Sequence, residues 1–396
     1  MKKEHQNINK KTRVTKKMLN IEDEQMLQEL VQTRNIRHST MIRYRTIIKY
    51  YVESQGLPLH ELILEAEKEE DQGIRLKNRT IKKRLINHRN YLINERNYSH
   101  VTVQKTMTGL RTIYNHFEIE LPRIPKLNER SVKNTEPIYY DDLPTRELIG
   151  KAINLSKPIM KAIILFITSS GCARSETCSL TIQDFIEATS EYHNSENIYE
   201  VLDELKDQDN IVPIFHVKRQ KTNKYYYTFC SPEAVTAIVS YLNSRTDYLS
   251  SDRKLFKINK NYLNVKFQEL NEQLGGPNKG CYCLLRTHML RKFHASNLAR
   301  GENGLSLDEI DSLQGRTKDN VRQSYYFDDP KELRKKYIRN IDKVLINNES
   351  VKIDSPEVAA LRKEAEKLKE ENEIIKSNIN KAVDDRINEV LSKYGF

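Results

Sequence analysis

The sequence predicts a mainly α-helical protein with a small β-sheet. It has an all-α N-terminal domain, a larger α+β domain behind a proline-marked linker, and a C-terminal coiled-coil helix. Three observations carry this reading. Apolar residues recur at steps of three and four along most of the chain, which is the helical period. Glycine and proline are scarce, 12 and 11 among 396 residues, too few for a turn-rich all-β chain. Strict alternation is found in one place, near residues 214–229, where Tyr225, Tyr227 and Phe229 fall on one side.

Charge narrows the partners. Lys+Arg 66 against Asp+Glu 55 gives +11, with pI ≈ 9.1, and such a balance suits a polyanion, usually nucleic acid. Hydrophobic residues make up 38%, enough for real cores, but no run of about 18 apolar residues suggests a membrane span. The N-terminal Met-Lys-Lys-Glu-His-Gln has no apolar stretch behind it, so a secretory leader is not expected. Five cysteines, Cys172, Cys178, Cys230, Cys281 and Cys283, form no disulfide framework. Reduced thiols in the cytoplasm are expected. The Cys281–Cys283 spacing, even with His288 nearby, is not that of a zinc site. No metal and no cofactor are expected.

In chain order, residues 1–19 are a basic arm without hydrophobic period, carrying Lys2, Lys3, Lys10, Lys11, Arg13, Lys16 and Lys17. It either lies on phosphates or merely solubilises. Helical pattern fills 20–122. One helix starts near Ile21 and a second at Ser39, with Met41, Tyr44, Ile48, Tyr51 and Val52 on one side. An acidic third covers 57–72, a fourth starts at Thr80, and a fifth is capped by Ser99 with Val103, Met107, Leu110, Tyr114 and Phe117 inward. Lys105 and Arg111 lie off that stripe and either face DNA or form a solvated face. Residues 123–138, flanked and punctuated by Pro122, Pro125 and Pro137, read as a basic extended linker.

The second domain, 139–346, opens with a strongly apolar helix over 158–169, broken at Gly171. Arg174 follows directly. An arginine beside a buried helix needs a partner. An acidic insert, 187–209, is expected to be solvated. The hairpin comes next, its turn loaded with Lys218, Arg219, Lys221 and Lys224. Ser231-Pro232 starts another helix, with cap and N1 proline in place. Then comes Arg286-Thr287-His288-Met289-Leu290-Arg291. Three residues apart on a helix, His288 and Arg291 share a face, with Thr287 as the expected cap. Ser306 and Glu309 form a capping box with Leu307, Ile310 and Leu313 inward, and Gly315 ends the helix. A tyrosine-bearing loop and a helix from Pro330 follow. The tail, 355–396, repeats Val358, Leu361, Ala365, Leu368, Asn372, Ile375, Ile379 and Ala382. That is a heptad seam with Asn372 as register pin, for self-association or for docking on the protein's own body.

These residues together resemble the tyrosine recombinase family, the phage-integrase type of site-specific recombinase, closest to archaeal and mobile-element integrases. The resemblance covers about 20–345. It implies a SAM-like core-binding fold for the first domain and a recombinase catalytic fold for the second. Ser170-Gly171-Cys172-Ala173-Arg174-Ser175-Glu176 supplies the first arginine, Arg174, one place later than in the common Gly-x-Arg-x-x-Glu form. Lys221 is the hairpin lysine, and His288 and Arg291 are the His-x-x-Arg pair. Arg316, in Leu313-Gln314-Gly315-Arg316, stands where the family usually has a second histidine. Ser324-Tyr325-Tyr326 supplies the nucleophile. Spacing from Arg316 points to Tyr325, with Tyr326 the alternative.

The implied chemistry is metal-free phosphoryl transfer. Tyrosine attacks a phosphodiester, a DNA 3′-phosphotyrosine forms, and the 5′-hydroxyl leaves. Another strand's 5′-hydroxyl reverses the step. Arg174 and Arg291 would clamp the non-bridging oxygens, where a planar two-pronged donor fits better than lysine. Free tyrosine has a pKa near 10, so the attacking phenol needs help from His288 or neighbouring cations. Lys221 is the general-acid candidate for the leaving oxygen, with a phosphate contact as its other role. Arg316 could bind the same phosphate but could not serve as base. The implied partners are double-stranded DNA at an attachment site and further copies of the chain in a synaptic tetramer. Integration or excision of a mobile element is the first reading. A chromosome- or plasmid-dimer resolvase, a type IB topoisomerase, and a DNA-binding protein with a dead site remain alternatives.

Overall fold

The computed structural model describes residues 19–128, 136–279, 282–316 and 329–347. The chain divides into two compact units, Met1–Pro137 and Ile138–Phe396. Residues 1–18 of the basic arm, the heptad tail 355–396, Cys281 and both candidate tyrosines lie outside the described residues.

Among the described residues the first unit holds five α-helices: α1 (Ile21–Thr33), α2 (His38–Gln55), α3 (Leu59–Asp71), α4 (Ile81–Asn94) and α5 (His100–His116). Their apolar stripes meet in one core around Leu30, Ile48, Tyr51, Leu85, Leu110 and Tyr114. Tyr51 and Tyr114 are both fully buried, and their hydroxyls bond each other at 2.8 Å. Each phenol thus meets its polar need inside the core. Arg111 is not free on a solvated face: it donates from Nη2 to the Pro122 carbonyl at 3.0 Å. It holds the chain leaving α5.

The second unit is built around α7 (Pro158–Ser170), with α6 (Arg146–Leu155) before it. Pro158 occupies the first turn, where its missing N–H costs nothing. From Ala162 to Ser170 the helix is buried all round. Each large apolar side chain so enclosed contributes about 1.5–3 kcal/mol. Against α7 pack α11 (Pro232–Asn243) and α13 (Thr287–Leu298). Short helices α8 (Arg174–Thr177) and α9 (Ile182–Ala188) follow α7. The acidic insert is not solvated throughout. Asn197 caps α10 (Ile198–Lys206), and Ile198, Val201, Leu202 and Leu205 enter the main core. Its acids are spaced so that one apolar stripe survives between them.

Strands β1 (Ile214–Arg219) and β2 (Lys224–Phe229) form the antiparallel hairpin, with His216 opposite Tyr227 and Lys218 opposite Tyr225. Asn223 turns it in the left-handed region, φ 58, which asparagine tolerates well. Helix α12 (Lys260–Gln273) and a two-residue pair, β3 (Asn278–Lys279) with β4 (Tyr282–Cys283), lead into α13. Helix α14 (Leu307–Leu313) carries the Ser306–Glu309 capping box. Leu307 does not point inward, however, and is 75% exposed, whereas Ile310 and Leu313 are buried. Helix α15 (Pro330–Arg339) joins a second small core with Phe229, Leu313 and Leu333. Its Tyr337 hydroxyl donates to the Ser169 carbonyl at 2.8 Å, tying it to the end of α7.

Candidate active site

Three distant segments meet at the C-terminal end of α7. Gly171 ends that helix at φ 65, and α8 turns away at once with Arg174 as its first residue. A side chain at Gly171 would meet His294 Nδ1 at 2.6 Å and Gln314 Nε2 at 2.9 Å, so glycine is needed for space as well as for backbone angle. Helix α13 brings His288 and Arg291 alongside. Its N-cap is Arg286 rather than Thr287, and no side chain caps it.

Arg174, His288 and Arg291 line one cavity of ≈ 560 Å³ together with Arg286, Thr287 and Tyr282. Among the described residues its walls hold these arginines and no acidic residue. Behind the wall, Glu176 is 2% exposed. Its Oε2 accepts from the Ala173 N–H at 2.8 Å and from the Tyr226 hydroxyl at 2.9 Å, and lies 3.8 Å from Arg291 Nη1. Arg291 donates from Nη1 to the Gly171 carbonyl and from Nη2 to the Gln314 carbonyl, both at 2.6 Å. A buried guanidinium is thus paired and aimed, with part of its five-donor fork still available.

His288 is exposed on one side, and the protein behind its ring holds its pKa below the ordinary value. The charges of Lys292, Arg286, Arg291 and Arg316 act in the same direction. Its imidazole is therefore neutral near pH 7 and can accept a proton or a hydrogen bond. His294, on the buried side of the same helix, is pushed down to about 3, by burial first and by Arg291 and Arg316 next. It serves as a neutral spacer beside Gln314 Nε2, at 3.0 Å.

Lys221 and Arg316 lie outside the cavity wall. Lys221 sits exposed in the hairpin turn. The hairpin itself is fastened near the site: Arg219 Nη1 donates to the Gly315 carbonyl. Tyr226 packs so close to Gly315 that an added Cβ would lie 2.4 Å from its ring. Arg316 is exposed and pairs with Asp311 at 3.2 Å. Tyr325 and Tyr326 lie outside the described residues.

Two residues with no assigned role emerge from the structure. Gln314 is fully buried and holds Arg291 from below; a polar residue just before the helix-ending glycine was the available signal. Arg286 lines the cavity, stacks over Tyr282 at 4.3 Å, and keeps a buried Nε without a hydrogen-bond partner. The density of cations between Arg286 and Arg291 was its signal. A second cavity, ≈ 870 Å³, opens at the start of α12, where Arg245, Arg253, Lys254, Lys257 and Lys260 face a single carboxylate, Asp247. Arg245 and then Lys257 hold that carboxyl well below the usual range.

Such a site can hold a tetrahedral oxyanion, with guanidinium donors on one side and a neutral imidazole at its mouth. Among the described residues, no helix is long and apolar enough to cross a membrane, and no cluster of three metal-ligating side chains is found.

No family model matches the sequence, and no curated protein matches it. Solved structures do. They include recombinases and integrases. One is the XerH site-specific recombinase bound to palindromic difH substrate in a post-cleavage complex, with TM-score 0.48 and 15% identity over 79% of this chain and 83% of that one. Another is the Tn1549 transposon integrase in complex with transposon right end DNA, with TM-score 0.45 and 16% identity over 80% and 98%. A third is the XerA recombinase, with TM-score 0.33 and 18% identity over 80% and 98%. At these identities the likeness is one of chain path, and function is argued from the chain's own residues.

Proposed function

We propose that this protein is a site-specific DNA recombinase of the tyrosine type, which integrates or excises a mobile element through a 3′-phosphotyrosine intermediate. The observation that supports it best is the cavity shared by Arg174, His288 and Arg291. Arg174 is more than a hundred positions from the His288–Arg291 pair in sequence, and Glu176 and Gln314 brace the elements that bring them together. A phosphodiester in that cavity would meet guanidinium donors on its non-bridging oxygens, and such preorganised donors are worth most where water is excluded. Neutral His288 would assist the phenol, and Lys221, on the fastened hairpin, would protonate the leaving 5′-oxygen. Tyr325 is the proposed nucleophile and Tyr326 the alternative. The cationic cleft at α12 and the net charge of +11 suit a duplex partner. We assign residues 20–122 to core DNA binding, 139–346 to catalysis, and 355–396 to contacts between protomers.

A nicked suicide substrate in EDTA tests the reading. A covalent protein–DNA adduct that disappears in Tyr325→Phe and persists in Tyr326→Phe is the expected result. The reverse pattern moves the nucleophile by one residue, and wild-type protein that forms no adduct sinks the enzymatic claim. The Arg316–Asp311 pair favours one second reading, a DNA-binding protein on this fold that does not cut. It predicts tight duplex binding with no adduct.

A further inference from the structure

The outward face of the hairpin is composed of aromatic rings and cations. Inward, Phe215, Val217 and Tyr226 are buried, which fixes the sheet. Outward stand His216, Lys218, Tyr225 and Tyr227, all exposed, with Tyr225 at 59% and Tyr227 at 36%. The rings are ordered. His216 lies between the two tyrosines, 4.9 Å and 30° from Tyr225 and 4.7 Å and 20° from Tyr227. The Lys218 ammonium sits 5.5 Å from the Tyr225 ring centre. Cross-strand ring pairs stabilise a hairpin, but such pairing does not require the outer ring surfaces to face water. From Ile214 to Phe229 the hairpin has four cations, Lys218, Arg219, Lys221 and Lys224, and no acid.

We infer that this face is a stacking platform for unpaired nucleobases, with the hairpin cations following the phosphates of a single strand. Every base has a π-face, so rings in a cationic setting hold a strand with little regard to sequence. The inference rests on the DNA reading above and deepens it. Moving a strand between duplexes leaves bases unpaired beside the cut, and the hairpin is fastened at Gly315, next to the candidate active site. A duplex, whose bases are already stacked, would gain little from this face.

The test uses full-length protein, a labelled oligothymidylate and a matched intact duplex. Wild type should bind the single strand and quench 2-aminopurine placed within it. Replacing Tyr225 and Tyr227 together by alanine should weaken single-strand binding by about tenfold or more, while duplex affinity stays within about twofold. Replacement of both by phenylalanine preserves the rings and should preserve binding, which separates stacking from any failure to fold. Unchanged single-strand affinity in the alanine pair overturns the inference. So does equal loss for strand and duplex, loss in the phenylalanine pair, or absence of quenching by wild type. Adduct formation on the nicked duplex reports on the preceding proposal independently, because neither tyrosine lines the candidate active site.

Discussion

Arg291 and Gln314 hold each other in both directions. The guanidinium donates from Nη2 to the Gln314 carbonyl at 2.6 Å, and Gln314 donates from Nε2 to the Arg291 carbonyl at 3.0 Å. Helix α13 and the end of α14 are thereby joined at one of the two arginines that the proposed chemistry uses as a phosphate clamp. Gln314→Leu keeps the backbone carbonyl that Arg291 Nη2 donates to, but it removes the Nε2 donor from the Arg291 carbonyl and from His294, and so loosens the backbone that carries Arg291. We expect adduct formation to slow by about ten- to a hundredfold, and the melting temperature to fall as about 1–3 kcal/mol of stability is lost. A variant with wild-type adduct rate would show that Gln314 is structural alone.

Among the described residues Arg174 has no such brace, and its role is proposed from its place on the cavity wall. Arg174→Ala should slow single-turnover cleavage by about 10²–10³. Arg174→Lys should recover little, since a point charge cannot reproduce a two-pronged donor. Full rescue by lysine would reduce Arg174 to a general phosphate contact.

Arg286 lines the same cavity, and its buried Nε has no hydrogen-bond partner among the described residues. If that donor serves the phosphate, Arg286→Gln should slow cleavage with a smaller change in duplex affinity. A loss of affinity alone, with cleavage rate at saturation unchanged, would place Arg286 in DNA positioning instead.

Buried histidines set a pH dependence of stability. His88 in the first unit is pushed down to about 4 by burial, and His294 in the second to about 3. Both lie below the ordinary 6.5. The unfolded chain therefore takes up protons that the folded chain refuses. Stability is fully present above about pH 6.5 and declines as pH falls toward the folded values, by roughly 1.4 kcal/mol per unit per histidine. Melting curves at pH 7, 6 and 5 should show the fall. His88→Gln should flatten the pH dependence that His88 contributes. A melting temperature that does not change over that interval would contradict the assignment.

Gly171→Ala should be poorly tolerated. The added carbon would strike His294 and Gln314 at the distances given above, in a backbone region that alanine rarely adopts. We expect a loss of several kcal/mol or insoluble protein. A well-folded, active Gly171→Ala chain would mean that this junction yields more readily than its contacts suggest.

Much of this was legible in the sequence where a single local rule decided the outcome. The apolar run before Gly171, the alternation in the hairpin and the Ser306–Glu309 box each specify an element by themselves. What failed depended on packing between segments. The acids of 187–209 suggested water, yet the stripe from Ile198 to Leu205 found a core. Leu307 matched the apolar pattern of α14, but among the described residues no element covers it. Thr287 had the chemistry of a cap, but the chain turns into the helix one residue earlier. At the site, residue types indicated His288, Arg291 and Arg174, because clustered cations next to a buried helix are unusual. Gln314 was not singled out because its role exists only through the partners that the fold brings to it.

Gly315 has a further consequence. Arg219 grips its carbonyl and Tyr226 lies flat against it, while the sequence runs from it through Arg316 to Tyr325. The hairpin that carries Lys221, the proposed proton donor, is therefore pinned to the peptide that directly follows Gln314, whose own carbonyl receives Arg291. A substitution that loosens the hairpin at Gly315 would then disturb the Arg291 clamp through a single peptide, one residue away in sequence.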